Sequence, residues 1–156
     1  MTNNFFEIRN GNFTASEKNK VNNVNLVIEK QGEIISLLGP SGIGKTTILR
    51  TIAGLQKLSK GKIKLRDTVL ASDKIHIEPE KRNIALSFQD NSLFPNYKVI
   101  ENIKFGEKRS NGHVSNIDVK EIVKLLRIEP ILEKYPHQIS AGEAQRVSLA
   151  RSLMSK

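Results

Sequence analysis

The stretch GPSGIGKTT, residues 39–47, constrains the fold of this chain more than any other segment. It lies between the apolar run EIISLL, residues 33–38, and the run ILRTIAGL, residues 48–55. The pattern G-x-x-x-x-G-K-[ST] is satisfied by Gly39, Gly44, Lys45 and Thr46. That pattern is informative when a strand precedes it and a helix follows it, which is the arrangement that the flanking runs predict.

The residue types of this loop suit a phosphate ligand. Glycines allow successive backbone N–H groups to point inward at phosphate oxygens, and the N-terminus of the next helix adds a partial positive charge. Lys45 can reach the β- and γ-phosphates, and the Thr46 hydroxyl can bind Mg²⁺. We therefore expect nucleotide to contact Gly39, Pro40, Ser41, Gly42, Ile43, Gly44, Lys45, Thr46 and Thr47. A glycine-rich turn that matches by chance is the alternative, and the flanking strand and helix disfavour it.

Composition places few other constraints on function. The 156 residues suffice for one domain with its own core. We expect no secretory signal and no membrane span, because no run of about eighteen apolar residues occurs. The absence of cysteine excludes disulfides and thiolate metal sites. The net charge of +9 would suit an anionic partner, but the basic residues are dispersed, which favours a solvated lysine-rich surface.

Strand-like segments dominate the first half of the chain and helical segments the second. Alternating or continuous apolar residues predict strands at residues 5–9, 24–30, 33–38, 61–65 and 83–88. A helix should follow the glycine-rich loop and end near Gly54. Residues 119–126 should form a second helix, capped by Ser115 or Asn116, and a third should run from Gly142 onward. The order predicts an α/β core with a mostly helical insertion.

A second motif occupies residues 138–154, QISAGEAQRVSLARSLM. A serine hydroxyl and backbone amides at a helix N-terminus can form an anion site. The segment resembles the signature of ATP-binding cassette (ABC) ATPases, whose usual form is L-S-G-G-Q followed by a Gln-Arg-Val-rich helix. The signature positions here are Ile139, Ser140, Ala141, Gly142 and Glu143. Ala141 replaces a glycine, and Glu143 replaces a glutamine and brings a negative charge close to the anion that the resemblance implies.

Two more positions are assigned by the resemblance alone. Residues 84–103, IALSFQDNSLFPNYKVIENI, resemble the family's Q-loop region. This implies that Gln89 contacts Mg²⁺ and the attacking water and links the nucleotide to a membrane partner. Phe13 lies about where the family stacks an aromatic ring on adenine, and a core phenylalanine is the alternative.

The resemblance covers essentially the whole chain and implies a fold and its ligands. The expected fold is a partial P-loop NTPase domain of the ABC type, α/β in class, with an antiparallel β subdomain, a parallel-sheet core and a helical insertion. Residues 1–156 would divide into an ATP-binding core to about residue 92, a helical subdomain over about 93–141 and a signature helix over 142–156. The implied cofactors are ATP and Mg²⁺, with the metal held by Thr46 and Gln89.

The implied partners are a second nucleotide-binding subunit and transmembrane permease subunits at the cytoplasmic face of the cell membrane, with no nucleic acid expected. In the family, a buried strand ending in Asp-Glu follows the signature helix, and a histidine lies further on. Neither has a counterpart in this sequence, since His76, His113 and His137 all precede that place. Because these carboxylates order Mg²⁺ and position the attacking water, we assign no catalytic residue and expect nucleotide binding with poor hydrolysis.

Four functions account for these motifs to different degrees. The segment LFPNYKVIEN, residues 93–102, most resembles the importer branch of the family. This resemblance favours an ATP-binding subunit that couples ATP binding and hydrolysis to solute import. A truncated, non-hydrolysing nucleotide-binding fragment is the alternative. An ABC-type protein of DNA repair or translation fits the Q-loop region less well, and a small-molecule kinase leaves SAGEAQRV unexplained.

Overall fold

The computed structural model describes residues 4–16, 19–87, 93–108 and 118–155. The chain divides into two compact units, Met1–Ile84 and Ala85–Lys156, which we call the β unit and the helical unit. The β unit contains strands β1 (Phe6–Ser16), β2 (Asn19–Ile28), β3 (Lys60–Leu65) and β4 (Thr68–Ser72), with helix α1 (Lys45–Ala53). The helical unit contains α2 (Val99–Lys108), α3 (Val119–Leu126) and α4 (Ala141–Met154). Short 3₁₀ turns occupy Pro79–Lys81, Glu129–Ile131 and Pro136–Gln138.

The four strands form one antiparallel sheet in the order β2-β1-β3-β4. Phe6 of β1 pairs with Ile28 on one side and with Leu65 on the other, so β1 lies inside the sheet. Strand alternation sends one set of side chains into a core to which α1 adds Ile48. The strands predicted at residues 5–9, 24–30 and 61–65 are thereby confirmed, with β1 continuing further than its alternation suggested.

Two other predicted strands are wrong in this structure. Residues 33–38 form no strand, and Ile34 and Leu38 are 92% and 88% exposed. Residues 83–87 are also outside any strand, and residue 88 lies outside the described part of the chain. A parallel strand is stabilised by hydrogen bonds to neighbours on both sides and by layers on both faces, not by its own apolar residues. The antiparallel β subdomain of the expected fold is present, whereas these segments of its parallel core are unpaired.

The helical unit is built around a core of its own. The buried apolar side chains that form this core are Val99, Ile103, Ile122, Val123, Ile128, Ile131, Val147, Ala150 and Met154. The helix predicted from the stripe at 119–126 is confirmed, but its N-cap is Asp118, whose carboxylate accepts a hydrogen bond from the Lys120 N–H at 3.0 Å. Asp118 precedes the first helical residue directly, whereas Ser115 and Asn116 lie outside the described residues. The last predicted helix is confirmed as α4, which begins one residue before Gly142.

A buried amide organises the turn that leads into α2, a helix that sequence patterning missed. Asn102 is fully buried, and its Oδ1 accepts the Phe94 N–H at 2.8 Å. Its Nδ2 lies 3.2, 3.0 and 3.2 Å from the carbonyl oxygens of Phe94, Tyr97 and Lys98. One side chain therefore contacts four polar backbone groups of this turn, and its two N–H groups are shared among three carbonyl oxygens. None of the helices among the described residues is both long and apolar enough to cross a membrane.

Candidate nucleotide-binding site

The glycine-rich loop has the backbone conformation that its glycines permit. Gly39, Gly42 and Gly44 have φ angles of +154°, +82° and +102°. Positive φ is unfavourable for residues with a Cβ atom, and it curls the chain so that successive N–H groups can converge on one anion. At Gly44 the packing adds a second requirement, since an added Cβ would overlap the Cγ2 methyl of Val21 on β2.

Lys45 is held over this loop by the loop's own carbonyl oxygens. Its Nζ donates hydrogen bonds to the Gly39 oxygen at 2.6 Å and to the Pro40 oxygen at 2.7 Å. Residues 40–43 are exposed around it. The ammonium therefore lies on the same open loop as the glycine N–H groups, where it can neutralise a polyphosphate.

The N-terminus of α1 is open to an anion. Its N-cap is Gly44, which has no side chain to cap the first N–H groups, and no acidic residue lies in the first turn. The unpaired first-turn N–H groups and the helix dipole both favour a negatively charged ligand at this position. Thr47 turns inward and is buried, whereas Thr46 is exposed beside the loop.

The possible metal ligands beside this loop suit a Mg²⁺ ion that is bound together with a nucleotide. Within the described ranges, no group of three or more His, Cys, Asp or Glu side chains could hold a metal ion. Mg²⁺ is commonly bound by few protein oxygens together with substrate phosphates and water. The exposed Thr46 hydroxyl can supply one such oxygen, so the residues present fit a shared site and not an all-protein one.

The other end of α1 is secured by Arg82, a residue that sequence patterning did not single out. Arg82 is 3% exposed, and its Nη1 donates to the Thr51 and Ile52 carbonyl oxygens at 2.7 and 2.8 Å. Its Nε donates to the Ile77 oxygen at 2.6 Å. Burial lowers the pKa of this guanidinium, and Glu78 partly offsets the effect. The cation satisfies the last carbonyls of the helix that carries the loop, where the helix dipole favours positive charge.

The signature residues lie at the N-terminus of α4 in the helical unit. Ser140 is the N-cap, and its Oγ accepts the Glu143 N–H at 3.3 Å. The Glu143 carboxylate accepts the Ser140 N–H at 2.7 Å and the Ser140 hydroxyl at 2.8 Å. This reciprocal arrangement is a capping box, which the spacing S-x-x-E indicates in sequence. Ala141 and Gly142 are exposed at the same helix end.

Phe13 and Gln89, the two positions that the resemblance alone assigned to the nucleotide site, differ from the residues described above. The Phe13 side chain is fully buried in the core of the β unit, so it presents no ring face to a base. This burial favours the alternative of a core phenylalanine, and stacking of Phe13 on adenine stays a prediction. Gln89 lies outside the described residues.

A glycine-rich loop at an uncapped helix N-terminus, with a lysine over it, defines a P-loop nucleotide-binding protein. The sequence profile of the ABC transporter family matches residues 21–156. The chain belongs to this family, and the resemblance seen in its signature and loop is confirmed.

Two curated relatives show the extent of the similarity. Molybdenum import ATP-binding protein ModC of Haemophilus ducreyi is 44% identical over 135 residues, which are 85% of this chain and 37% of that protein. Fe(3+) ions import ATP-binding protein FbpC of Escherichia coli O157:H7 is 40% identical over 155 residues, which are 98% of this chain and 43% of that protein. The chain thus spans less than half the length of these relatives.

A solved structure agrees with the sequence relatives. The dimeric post-hydrolysis state of the ATP-binding cassette MJ0796, bound to ADP and Pi, superposes with a TM-score of 0.72 at 26% identity. The match covers 96% of this chain and 69% of that one. The fold is therefore that of ABC ATPase cassettes.

Proposed function

We propose that this chain is the nucleotide-binding part of an ABC import ATPase and that it binds Mg-ATP on the loop of residues 39–47. The observation that carries the proposal is the uncapped N-terminus of α1 beneath a glycine-rich loop, with Lys45 Nζ held on that loop. Lys45 would neutralise the β- and γ-phosphates, the loop N–H groups would hold their oxygens, and Thr46 would share Mg²⁺ with them. The two relatives described above are both import ATP-binding proteins, which supports the importer assignment.

The remaining elements of the proposal concern assembly. Ser140, Ala141, Gly142 and Glu143 would face the nucleotide of a second copy, and Gln89 would contact Mg²⁺. The similar ATP-binding cassette MJ0796 is dimeric in its solved structure, which supports association of two copies of this chain. Contact with permease subunits would place the assembly at the cytoplasmic face of a membrane. Within the chain, boundaries near residues 92 and 141 would separate the ATP-binding core, the helical subdomain and the signature helix. Nucleotide binding is the activity that the loop of residues 39–47 allows to be measured directly.

The test is titration of purified 1–156 with a fluorescent ATP analogue in the presence of Mg²⁺. Lys45→Ala should weaken binding by about ten- to a hundredfold, because a charged hydrogen bond contributes about 1.5–3 kcal/mol. Lys57→Ala is the matched control, since Lys57 is an exposed lysine beyond the other end of α1. Equal affinity of wild type and Lys45→Ala, or no binding by the wild type, would contradict the proposal.

A further inference from the structure

Helix α1 follows the loop of residues 39–47, here called the phosphate loop, and its sequence favours a helix only weakly. Its nine residues, KTTILRTIA, extend about 13 Å. Three threonines and two isoleucines among them are β-branched, and such residues lose rotamer freedom in a helix. Isolated helices of this length are not stable in water, so α1 depends on contacts with the rest of the β unit.

The two ends of α1 receive different support from the chain. At the N-terminus, Gly44 supplies no capping side chain and the first turn has no acidic residue. At the C-terminus, Arg82 Nη1 donates to the carbonyl oxygens of Thr51 and Ile52 at 2.7 and 2.8 Å. The C-terminus is therefore fixed by a buried cation, whereas the N-terminus has no such partner in its own first turn.

The Arg82 guanidinium is itself oriented by the segment that follows β4. Its Nε donates to the Ile77 oxygen at 2.6 Å, and its Nη2 lies 3.4 Å from His76 Nδ1. An arginine N–H can only donate, so His76 Nδ1 is the acceptor and the ring proton lies on Nε2, 3.9 Å from Glu78 Oε2. The guanidinium therefore bridges residues 76–77 and the last turn of α1, with a partner for each of its three nitrogens.

A hydrogen-bonded path runs through α1 from Arg82 to the phosphate loop. Thr51, whose carbonyl oxygen accepts from Arg82, is fully buried and donates its hydroxyl to the Thr47 oxygen at 2.9 Å. Thr47 is also buried and is the last residue of the phosphate loop. A helix this short and this closely connected can transmit the position of its last turn to the N–H groups of its first turn.

We propose that Arg82 is a positioning residue for nucleotide binding, and that its contacts at one end of α1 and a polyphosphate at the other stabilise each other. The inference rests on the proposed function, in which the phosphate loop binds Mg-ATP. Without the guanidinium, the last turn of α1 loses a donor while its first turn has no cap, so part of the binding free energy must be used to order the helix. By linkage, bound nucleotide tightens the Arg82 contacts by the same factor by which Arg82 tightens nucleotide binding.

The first experiment titrates 1–156 with the fluorescent ATP analogue and Mg²⁺, and then displaces the analogue with inorganic tripolyphosphate. Arg82→Gln should weaken binding of both ligands by about five- to tenfold, which is within the usual range for coupled sites. The two losses should be equal, because Arg82 acts through the loop that contacts phosphate and not through the base. Arg82→Lys should recover most of the affinity, since an ammonium can donate to the same carbonyl oxygens. Arg9→Gln is the matched control, an exposed arginine of β1 that pairs with Glu7.

The second measurement uses the wild-type chain alone. Exchange of arginine Nε–H protons with solvent, followed by NMR, reports how often each guanidinium contact opens. Saturating Mg-ATP should slow exchange of the Arg82 Nε–H by about five- to tenfold and leave the Arg9 Nε–H, which is bound to Glu7, unchanged. A role confined to holding the fold together would not respond to nucleotide. The measurement also decides the question if Arg82→Gln fails to fold.

The outcomes separate this inference from the proposed function. Parallel losses of affinity in Arg82→Gln that Arg82→Lys recovers, together with slower exchange of the Arg82 Nε–H, support it. If folded Arg82→Gln binds like the wild type while Lys45→Ala does not, or if Mg-ATP leaves that exchange unchanged, the positioning role is wrong and the proposed function stands. An equal loss in Arg9→Gln, or a loss for the analogue but not for tripolyphosphate, also overturns it. If the wild type binds no nucleotide, both are wrong.

Discussion

Replacing Gly44 with alanine should destabilise the β unit more than replacing another loop glycine. Gly44 has φ +102° and ψ +12°, and a residue with a Cβ atom in a left-handed conformation costs about 1–2 kcal/mol. The new methyl group would also overlap the Cγ2 methyl of Val21, and forcing extra carbon into a packed site costs about 1–3 kcal/mol. The two effects predict a loss of about 2–5 kcal/mol, a large part of a typical domain's stability.

Gly42→Ala is the control, measured by urea unfolding followed by circular dichroism. Gly42 has φ +82°, but no atom lies within 4 Å of where its Cβ would be, so only the conformational cost of about 1–2 kcal/mol applies. The difference between the two variants isolates the contact with Val21. Val21→Ala removes that methyl group, and the double variant with Gly44→Ala should show a favourable coupling energy of about 1 kcal/mol or more.

Two results would refute this reasoning. Gly44→Ala could lose no more stability than Gly42→Ala, or Val21→Ala could leave the cost of Gly44→Ala unchanged. Either would mean that the loop does not approach β2 as closely as described. A further consequence is that Gly44→Ala should weaken nucleotide binding even when the chain is folded, because the loop must shift to accept the methyl group.

Three further perturbations have defined outcomes. Gly106→Ala should cost about 2–4 kcal/mol in urea unfolding, because its Cβ would overlap the Arg151 carbonyl oxygen and separate α2 from α4. Asn102→Asp should destabilise more than Asn102→Ala at pH 7, since a carboxylate oxygen would face three carbonyl oxygens, and it should regain stability as the pH falls. Ser140 holds the pKa of Glu143 below its ordinary value of about 4.3, so the capping box stabilises the folded chain above that pH and is lost as the pH falls through the lower folded-state pKa. The wild-type thermal midpoint should therefore fall more steeply than that of Glu143→Gln as the pH drops below about 5.

Features fixed by neighbouring residues could be predicted from the sequence. The loop at 39–47 depends on glycines at set spacings, and its helix ends at Gly54, a C-cap whose φ of +89° is the usual local signal for the end of a helix. The start of α4 follows from the S-x-x-E spacing for the same reason. Alternation likewise predicted most of the antiparallel sheet, because each strand there pairs with a strand of its own unit.

Features fixed by distant residues could not be predicted this way. The run at 33–38 is as apolar as a buried strand, yet its state depends on which strands lie beside it. Phe13 has the residue type for base stacking, and only its packing shows that the ring is enclosed. Arg82 and Asn102 look like ordinary polar residues in sequence, and their importance comes from backbone carbonyls brought to them by the fold.

The close contact between Gly54 and Arg82 predicts that substitutions at these two positions are correlated among homologous sequences. A Cβ atom at residue 54 would lie 2.7 Å from the Arg82 Nε, so a side chain there displaces the guanidinium from the carbonyls of Thr51 and Ile52. Loss of Arg82 alone removes the guanidinium donor from both carbonyls. Homologous sequences should therefore vary at these positions jointly: lineages that have lost the arginine can accept asparagine at residue 54, which tolerates left-handed backbone, and lineages that keep the arginine cannot.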